Sequence, residues 1–499
     1  MTMHGPGSYP VVVIGSGPGG LQVSSSLRQQ GVTHAVISGD PAPGGMFRRW
    51  PFFQRLLSWT KPYALAAPGS PLYERYDWNS LLTDTPAAQS LQRGLMDGTS
   101  SFPTRAEMEA NLVAFADRSG LDIRYGCTWR STRLVDEADG TRFVLDTTGG
   151  EYRCAVLVVA VGVAEPWMPT MPGMEHVHHY GQVQPADAYA GKRVFIIGKQ
   201  NSGFELATGL LPWASQLVLA SPSPATLSVT TRTLVGVRAR YLQPYEDAVL
   251  GGGVTVLDAA IDRIEPSGDG ALTVHLQRTD RDAALAVEAD EVIAATGFTT
   301  PLQDLPALGC AVAGQSRLPV QTPFWESATL PGLFFAGTIT QGSRGLRRHG
   351  VPSNSGAVHG ARYNAQVLAG HLARTRFGVA DPRQAISMDA AIEQVCRELT
   401  ESPVLFHQRG YLAWVLSADG SGGLRDDGIQ PLAHALDAGT DDSLTVTLEA
   451  DGSGAIYPVL YARSGGTTTE HILEPDLMLR YDGPDARRRI TEVVSSILA

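Results

Sequence analysis

Short, continuous apolar runs followed by glycine-rich turns recur along the chain and predict buried strands. Residues 11–14 (VVVI) lead into the turn GSGPGG at 15–20, and residues 194–197 (VFII) lead into GKQNSG at 198–203. A run that is apolar throughout, rather than alternating, is typical of a parallel strand covered on both faces. A helical stretch and another short apolar run follow each turn. The pattern therefore predicts two strand-turn-helix-strand units.

The first turn has the spacing of a loop that binds a dinucleotide. Gly15 permits the tight turn, Gly17 leaves the backbone open to a pyrophosphate, and Gly20 lets the helix approach the strand. The N-terminus of the helix adds N–H groups and partial positive charge. An acidic residue is expected about 20 residues further on to hold the ribose. The end of the next strand offers Ser38, with Asp40 two residues later, as the candidates for this contact.

The second turn repeats the motif with one change. Gly198 and Gly203 keep the outer positions, whereas Gln200 replaces the middle glycine. We therefore expect the helix N-terminus, with Asn201 and Ser202, to hold the pyrophosphate. A relict fold without nucleotide is the alternative. Together the two turns predict an α/β fold with two Rossmann-like domains.

The residues after the second unit favour NADPH over NADH. Ser221 follows the strand at 216–220, where a carboxylate would repel a 2′-phosphate. Arg232 and Arg238 are candidate partners for that phosphate.

Composition excludes several classes of function. The 499 residues carry a net charge of -11, which argues against nucleic-acid and anionic membrane surfaces as partners. No signal peptide and no run of about 18 apolar residues is present, so a cytoplasmic protein is expected. The four cysteines are far apart, with no CxxC pair, and indicate a reducing compartment without a redox dithiol. They are Cys127, Cys154, Cys310 and Cys396.

No metal site is predicted. His176, His178 and His179 lie close together in the sequence, but Glu175 is the one acidic residue at ligand spacing beside them. A loop without a metal is the expected outcome.

An aromatic and basic stretch, MFRRWPFFQRLLSWTKPY at residues 46–63, follows the first unit. It is expected to wrap the apolar part of a large cofactor, with Gly45, Met46 and Arg48 as candidate contacts. The alternative is a surface loop with a few buried aromatic side chains. Thr60 and Lys61, at the end of this stretch, are candidate catalytic residues.

A helix predicted at residues 353–372 follows a Gly- and Arg-rich loop. Its N-terminus, with Asn354, would stabilise negative charge on a reduced flavin. His359 and Arg362 are candidate catalytic residues, and the competing interpretation gives them packing and hydrogen-bonding roles.

The C-terminal part differs from the rest of the chain in its sequence pattern and has no recognisable catalytic motif. A helix is predicted near residues 390–399, and strands are predicted at 444–448, 456–461 and 478–481. The segment is expected to be a small α+β appendage. Two roles are open for it, a lid or a contact between copies in a homo-oligomer.

These motifs resemble those of flavoproteins with two dinucleotide-binding domains, and most closely the FAD-dependent oxidoreductase-domain group, which is related to class B flavin monooxygenases. The resemblance rests on GSGPGG, GKQNSG, ATG at 295–297, LFFAGT at 333–338 and the segment GAVHGARYNAQVL. Gly337 and Thr338 stand where the family usually has Gly-Asp, and Thr60 corresponds to an asparagine beside the flavin in flavin-containing monooxygenases.

The resemblance implies FAD in the first domain and a nicotinamide cofactor in a second domain inserted into it. The implied boundaries are 9–165 with 288–385 for FAD, 166–287 for NAD(P)H, and 386–499 for the appendage.

The implied activity is an NAD(P)H-dependent flavin monooxygenase, in which O2 adds to the reduced flavin at C4a and a small organic substrate is oxygenated. One rival is a reductase or dehydrogenase that passes electrons to a quinone, a disulfide or a metabolite. The other is a flavin-stabilised binding protein whose nicotinamide site has decayed.

Overall fold

The computed structural model describes most of the chain. The described residues are 4–49, 55–138, 140–228, 236–242, 253–343, 353–380, 384–419, 422–439 and 442–496. Arg232, part of the aromatic stretch and most of the Gly- and Arg-rich loop lie outside them.

Strands outnumber helices among the described elements. The strands are β1 (Gly7–Ile14), β2 (His34–Ile37), β3 (Trp129–Glu137), β4 (Gly140–Thr147), β5 (Gly150–Val159), β6 (Glu165–Pro166), β7 (His178–His179), β8 (Arg193–Ile197), β9 (Gln216–Ser221), β10 (Val254–Pro266), β11 (Leu272–Arg278), β12 (Ala284–Ala289), β13 (Glu291–Ala294), β14 (Phe298–Thr299), β15 (Val312–Ala313), β16 (Leu318–Pro319), β17 (Leu333–Phe335), β18 (Gln384–Ile386), β19 (Leu412–Ala418), β20 (Leu424–Pro431), β21 (Ser443–Ala450), β22 (Ile456–Ser464) and β23 (Thr467–Ile472). The helices are α1 (Pro18–Gln29), α2 (Met46–Arg49), α3 (Pro71–Glu74), α4 (Arg105–Arg118), α5 (Asn201–Leu210), α6 (Val358–Phe377), α7 (Met388–Glu401), α8 (Pro403–His407), α9 (Leu432–Asp437) and α10 (Pro484–Ser496).

The chain divides into two compact units. The first contains Met1–Gly45, Ser58–Gly162 and Pro301–Ala499, and the second contains Met46–Leu57 and Val163–Thr300. This division groups the C-terminal segment with the first unit and the start of the aromatic stretch with the second.

The sheet of the first unit combines a parallel and an antiparallel part. β2, β1 and β5 are parallel, and the end of β5 pairs with β17 in the same sense. The beginning of β5 pairs instead with β4, which continues antiparallel to β3. Residues 11–14 of β1 are buried, as expected of a strand covered on both faces. α1 packs against α6 beside this sheet.

The second unit has the same plan. β10, β9, β8, β13 and β7 form a parallel sheet. β10 also pairs antiparallel with β11, which in turn pairs antiparallel with β12. Hydrophobic cores lie on both sides of this sheet, one around Phe204 and Leu206 of α5 and the other around Phe195 and Val292. The predicted mixed α/β fold with parallel sheets is confirmed.

The C-terminal segment forms an antiparallel sheet in the order β18-β20-β19-β21-β22-β23. Val395 of α7 and Val494 of α10 belong to the hydrophobic core that also contains Leu416 and Leu460 of this sheet.

Two predicted elements of the C-terminal half differ in the structure. The strand predicted at 478–481 is wrong, because Leu479 has a φ of 54° and the Asp476 carboxylate accepts the N–H groups of Met478 and Arg480, which makes a turn. The helix predicted from residue 353 begins at Val358, because Ala357 is extended and Asn354–Gly356 form a separate 3-10 turn.

α4 begins directly after Thr104. Its hydroxyl accepts the N–H of Glu107, and the Glu107 carboxylate accepts the N–H of Thr104, which is a complete capping box.

Candidate functional site

The first glycine-rich loop has three glycines, Gly15, Gly19 and Gly20, at which the fold leaves no room for a Cβ. Gly15 has a φ of 117°, and a Cβ there would lie 2.6 Å from the carbonyl oxygen of Ala160. A Cβ on Gly20 would overlap the carbonyl oxygen of Gly15. These contacts close the turn between β1 and α1 and bring the helix against the strand.

Gly17 is different, because the protein leaves room beside it. A Cβ at Gly17 would have the Cα of Gly45, at 3.7 Å, as its nearest described neighbour, and the residue has ordinary extended backbone angles. Packing within the protein therefore does not demand a glycine at this position. A ligand that approaches the backbone at the N-terminus of α1 does, which fits the pyrophosphate of a dinucleotide.

Two further glycines crowd the same helix end. A Cβ on Gly45 would lie 2.9 Å from the Cα of Gly17, and a Cβ on Gly337 would lie 2.9 Å from the Cα of Gly19. Three backbone segments thus meet here without side chains between them. Thr338 follows Gly337 and is partly buried.

The predicted ribose contacts lie at the end of β2. The hydroxyls of Ser16 and Ser38 are 2.8 Å apart, and Ser38 Oγ also accepts the N–H of Asp40. Ser38 therefore ties the loop to the strand end, and Asp40, also buried, lies beside it. Met46 and Arg48, the other predicted cofactor contacts, are partly buried in α2 of the second unit.

The second glycine-rich loop repeats the steric construction of the first. A Cβ on Gly198, whose φ is 109°, would lie 2.5 Å from the carbonyl oxygen of Ala295, and a Cβ on Gly203 would overlap the carbonyl oxygen of Gly198. Gln200 occupies the position before α5 with extended backbone angles, as Gly17 does before α1. The backbone therefore accepts a side chain at Gln200 without strain, and only the approach of a ligand is affected.

Polar side chains brace this second loop. The Asn201 amide donates to the carbonyl oxygen of Gly236 and accepts the N–H of Arg238. Ser202, in the first turn of α5, is partly buried. Arg238 is half-buried, and burial lowers its pKa. These contacts hold the predicted phosphate-binding turn against the segment that follows β9.

A buried lysine lies in the second loop, at the position that Ser16 has in the first. Lys199 Nζ donates to the carbonyl oxygen of Leu257 at 2.8 Å and pairs with the Asp258 carboxylate. Asp258 in β10 stands in register with Ser221 at the end of β9. The sequence places no carboxylate at the end of β9, but the structure places the Asp258 carboxylate beside it, on the neighbouring strand β10 and paired with Lys199.

A buried carboxyl group on α5 was not predicted. The Tyr180 hydroxyl donates to Glu205 at 3.4 Å, and burial raises the pKa of Glu205 to about 8. The signal in the sequence was a lone acidic residue in the apolar stretch SGFELATGLL. In α1 the same position belongs to Gln22, whose amide bonds both the carbonyl oxygen and the N–H of Leu82.

Thr60 is buried, and its neighbour Lys61 is exposed. Thr60 Oγ1 donates to Asp77 at 2.8 Å and accepts from the Asn79 amide at 3.0 Å. The Lys61 ammonium lies 6.0 Å from the centre of the Tyr76 ring. A catalytic role for either residue stays a prediction.

His359 and Arg362 lie inside the first unit. Arg362 Nη1 donates to the carbonyl oxygen of Ser80, and Nη2 donates to that of Glu74 at 3.2 Å. The His359 ring stacks on Trp78 with 4.3 Å between centroids. These contacts agree with the competing interpretation, in which His359 and Arg362 have packing and hydrogen-bonding roles. Their catalytic roles stay predictions.

The histidines near residue 176 have structural contacts. His179 Nδ1 accepts the N–H of Gly181, and Nε2 lies 2.9 Å from the carbonyl oxygen of Gly297. Among the residues that the structure describes, no group of three or more His, Cys, Asp or Glu side chains is arranged to hold a metal ion. In the same part of the chain, no helix is long and apolar enough to cross a membrane.

Two sterically matched loops, each between a parallel strand and a helix, define a fold with two dinucleotide-binding-type turns. Residues 12–337 match the family described as pyridine nucleotide-disulphide oxidoreductase, and the chain belongs to that family.

Individual relatives include enzymes of more than one kind. The chain is 29% identical over 433 residues to FAD-dependent oxidoreductase domain-containing protein 2 of Mus musculus, a match that covers 81% of this chain and 64% of the mouse protein, so that less than two thirds of the relative is represented. It is 27% identical to indole-3-pyruvate monooxygenase YUCCA1 of Oryza sativa subsp. japonica, over 40% of this chain and 44% of that protein. The bacillithiol disulfide reductase Bdr of Staphylococcus aureus shares the fold with a TM-score of 0.56 at 16% identity, covering 74% of this chain and 99% of the reductase.

Proposed function

We propose that the protein is an NADPH-dependent flavin monooxygenase that oxygenates a small organic substrate. The observation that carries the proposal is the pair of matched loops, because an enzyme that uses both a flavin and a nicotinamide needs two such sites. The relative YUCCA1, whose name describes a monooxygenase, supports the oxygenase reading.

In this proposal the first loop holds FAD. The N-terminus of α1 faces the pyrophosphate, with Gly15 and Gly20 fixing the turn and Gly17 leaving the backbone open. Further contacts are proposed from residues of the same unit: Ser38, Asp40, Gly45, Gly337, Thr338 and Asn354. Met46 and Arg48 stay predictions from the sequence.

The second loop holds the nicotinamide cofactor. The N-terminus of α5 faces the pyrophosphate, Ser202 donates its hydroxyl, and Asn201 keeps the turn in place through its bonds to the backbone at residues 236–238. Lys199 and Ser221 line the ribose end. Arg232 lies outside the described residues and stays a prediction from the sequence. When both cofactors are bound, the nicotinamide supplies a hydride and the flavin supplies the reaction with O2.

The cysteines disfavour a reductase that works through a dithiol of its own. All four are free and buried, and burial raises the pKa of Cys154 to about 12, which disfavours the reactive thiolate. A reductase that reduces an external disulfide or a quinone directly is the second candidate, and the shared fold of the S. aureus disulfide reductase favours it.

A stoichiometry measurement separates these functions. The holoenzyme is given NADPH and O2 with a panel of an amine, a thioether, a ketone and an aromatic 2-oxo acid, and consumption of NADPH and O2 is compared with product and hydrogen peroxide. We expect one compound to give oxygenated product in amounts equal to the NADPH consumed, with little peroxide.

The proposed oxygenase function is wrong, and a reductase function is supported, if two results are found together. NADPH oxidation is fast with a quinone or disulfide in the absence of O2, and no compound of the panel is oxygenated. Gly203→Ala is the matched control. It should retain FAD and lose NADPH oxidation with every acceptor.

A further inference from the structure

The segment that joins α7 to β19 in the C-terminal part is bonded into the core of the first unit. Arg75 Nη2 donates to the carbonyl oxygen of Ser402 at 3.2 Å. His407 Nε2 lies 3.2 Å from the carbonyl oxygen of Glu74, and the Trp78 and His407 rings meet edge to face at 5.7 Å. Burial holds the pKa of His407 well below its usual range, so the ring is neutral there.

Gln408, the next residue, uses its whole amide in hydrogen bonds. Its Oε1 accepts the N–H of Asn354 at 3.0 Å. Its Nε2 donates to Ser355 Oγ at 3.0 Å and to Asn364 Oδ1 at 2.7 Å. Gln408 is fully buried, so water cannot replace these bonds, and the Asn354 side chain bonds the carbonyl oxygen of His407 as well.

The hydrogen bonds continue from Gln408 to the first glycine-rich loop. The Asn364 amide donates to Thr340 Oγ1 at 3.1 Å, and Thr340 Oγ1 donates to the carbonyl oxygen of Gly337 at 2.7 Å. Gly337 is the glycine that lies against Gly19 at the N-terminus of α1. Thr340, Asn364 and Gln408 are each at most 1% exposed, so the path is shielded from solvent along its length.

We propose that Gln408 is a positioning residue for the flavin, through which the C-terminal part of the chain fixes both the turn before α6 and the Gly337 segment of the dinucleotide loop. The inference rests on the assignment of FAD to the first loop. It gives the C-terminal part a role distinct from a lid, because a lid must separate from the site, whereas these bonds are buried and fully used.

The test compares two side chains of the C-terminal part that make buried hydrogen bonds, Gln408 and Tyr411. Gln408→Leu removes the bonds to Asn354, Ser355 and Asn364. Tyr411→Phe is the matched control, because it removes the hydroxyl that accepts the Trp325 indole N–H at 2.8 Å without touching the path to Gly337. FAD affinity, the visible circular dichroism of bound FAD and its midpoint potential are measured for each full-length variant.

We expect Gln408→Leu to weaken FAD binding about tenfold and to change the visible circular dichroism and the potential. Tyr411→Phe should lower the melting temperature to a similar extent and leave the flavin signals as in the wild type. Gln408→Glu, which keeps the acceptor for the Asn354 N–H, should fall between the wild type and Gln408→Leu, and it serves as the test if the leucine variant does not fold.

The inference is overturned if the Gln408 variants lose stability as Tyr411→Phe does, with flavin affinity, spectrum and potential unchanged. If wild-type protein binds FAD and the Gln408 variants behave as expected but NADPH does not reduce the flavin, the proposed function fails and this inference stands. Wild-type protein that binds no FAD overturns both.

Discussion

The two glycine-rich loops share their steric construction and differ in the chemistry placed on it. Gly15 and Gly20 close the first turn by the same backbone contacts with which Gly198 and Gly203 close the second. The middle position is extended in both, so glycine there is a matter of ligand approach and not of backbone strain. The first and last glycines of the motif are thus retained in both loops. The middle position, which the protein leaves open, changes from Gly17 to Gln200, and Gly19, which lies against Gly337, is replaced by Ser202.

The two loops and their helices also differ in the polar side chains at corresponding positions. Ser16 bonds Ser38 across the first loop, whereas Lys199 extends to Asp258 in the second. On the helices, Gln22 of α1 corresponds to Glu205 of α5. The second unit therefore carries buried ionisable groups where the first carries neutral ones, and its properties should depend more on pH and on the charge of its ligand.

The largest effect is expected from breaking the shared construction. Gly20→Ala places a methyl group on the carbonyl of Gly15 and should cost about 3 kcal/mol of stability together with FAD binding. Gly203→Ala should cost a similar amount of stability and abolish binding of the nicotinamide cofactor while FAD remains bound. FAD content, NADP+ affinity by calorimetry and melting temperature report the outcome.

Alanine at exposed glycines provides the controls for that comparison. Gly94 in the first unit and Gly268 in the second have nothing within 4 Å of an added Cβ. If these variants lose cofactor as Gly20→Ala and Gly203→Ala do, the loss is a general effect of replacing glycine and the steric account is wrong.

The next largest effect concerns the buried carboxyl of α5. The folded pKa of Glu205, about 8, lies above the unfolded value of about 4.3, so Glu205 binds a proton in the folded state that it loses in the unfolded state between these pH values. Its contribution to stability is complete below about pH 4.3 and is lost as the pH rises to about 8. Glu205→Gln, which copies Gln22, should remove this dependence and gain about 2 kcal/mol on the wild type between pH 6 and pH 8.

Chemical unfolding followed at both pH values measures this difference. The reverse exchange, Gln22→Glu, should introduce a similar pH dependence into the first unit. Parallel pH profiles for wild type and Glu205→Gln would contradict the role assigned to the carboxyl.

A smaller effect is expected at the ribose end of the second loop. Lys199→Gln leaves the Asp258 carboxylate without its partner beside Ser221, so the 2′-phosphate of NADP+ should be repelled and the ratio of NADP+ to NAD+ dissociation constants should rise about tenfold. Asp258→Asn should lower the same ratio. Calorimetric titration with NADP+ and with NAD+ measures the ratio of the two dissociation constants. If both constants change equally, the Lys199–Asp258 pair serves folding alone.

The smallest effects belong to the variable middle position. Gly17→Ala should change stability by less than about 0.5 kcal/mol, because the nearest described atom is 3.7 Å from the new methyl, yet weaken FAD binding several-fold. Gln200→Gly should strengthen NADP+ binding about threefold. A Gly17→Ala variant that loses stability but binds FAD as the wild type does would show that the position serves packing.

The sequence was sufficient to predict the two loops because their chemistry is local. Strand, turn and helix follow within a few residues, and each glycine has a physical reason at its own position. The capping box at Thr104 was predictable for the same reason. The turn at 478–481 was predicted wrongly, because an apolar run with Met478 and Leu479 looks like a strand while the Asp476 side chain and a left-handed residue determine its shape.

Residues that act through distant partners were not predictable. Gln408 contacts Asn354 and Asn364 across 54 and 44 positions of sequence, and nothing near Gln408 indicates those partners. The Lys199–Asp258 pair spans 59 positions, and its significance depends on the register of β9 with β10. Such contacts become visible only when the strands and helices are placed beside each other.

An anaerobic titration of the purified holoprotein with NADPH tests most directly whether both loops function in one chain. The account predicts that NADPH bleaches the bound flavin in the wild type, and that Gly203→Ala retains the flavin but is not bleached. A wild-type protein that holds FAD and is not reduced by NADPH or NADH would contradict the account and would leave the second loop as a fold without its cofactor.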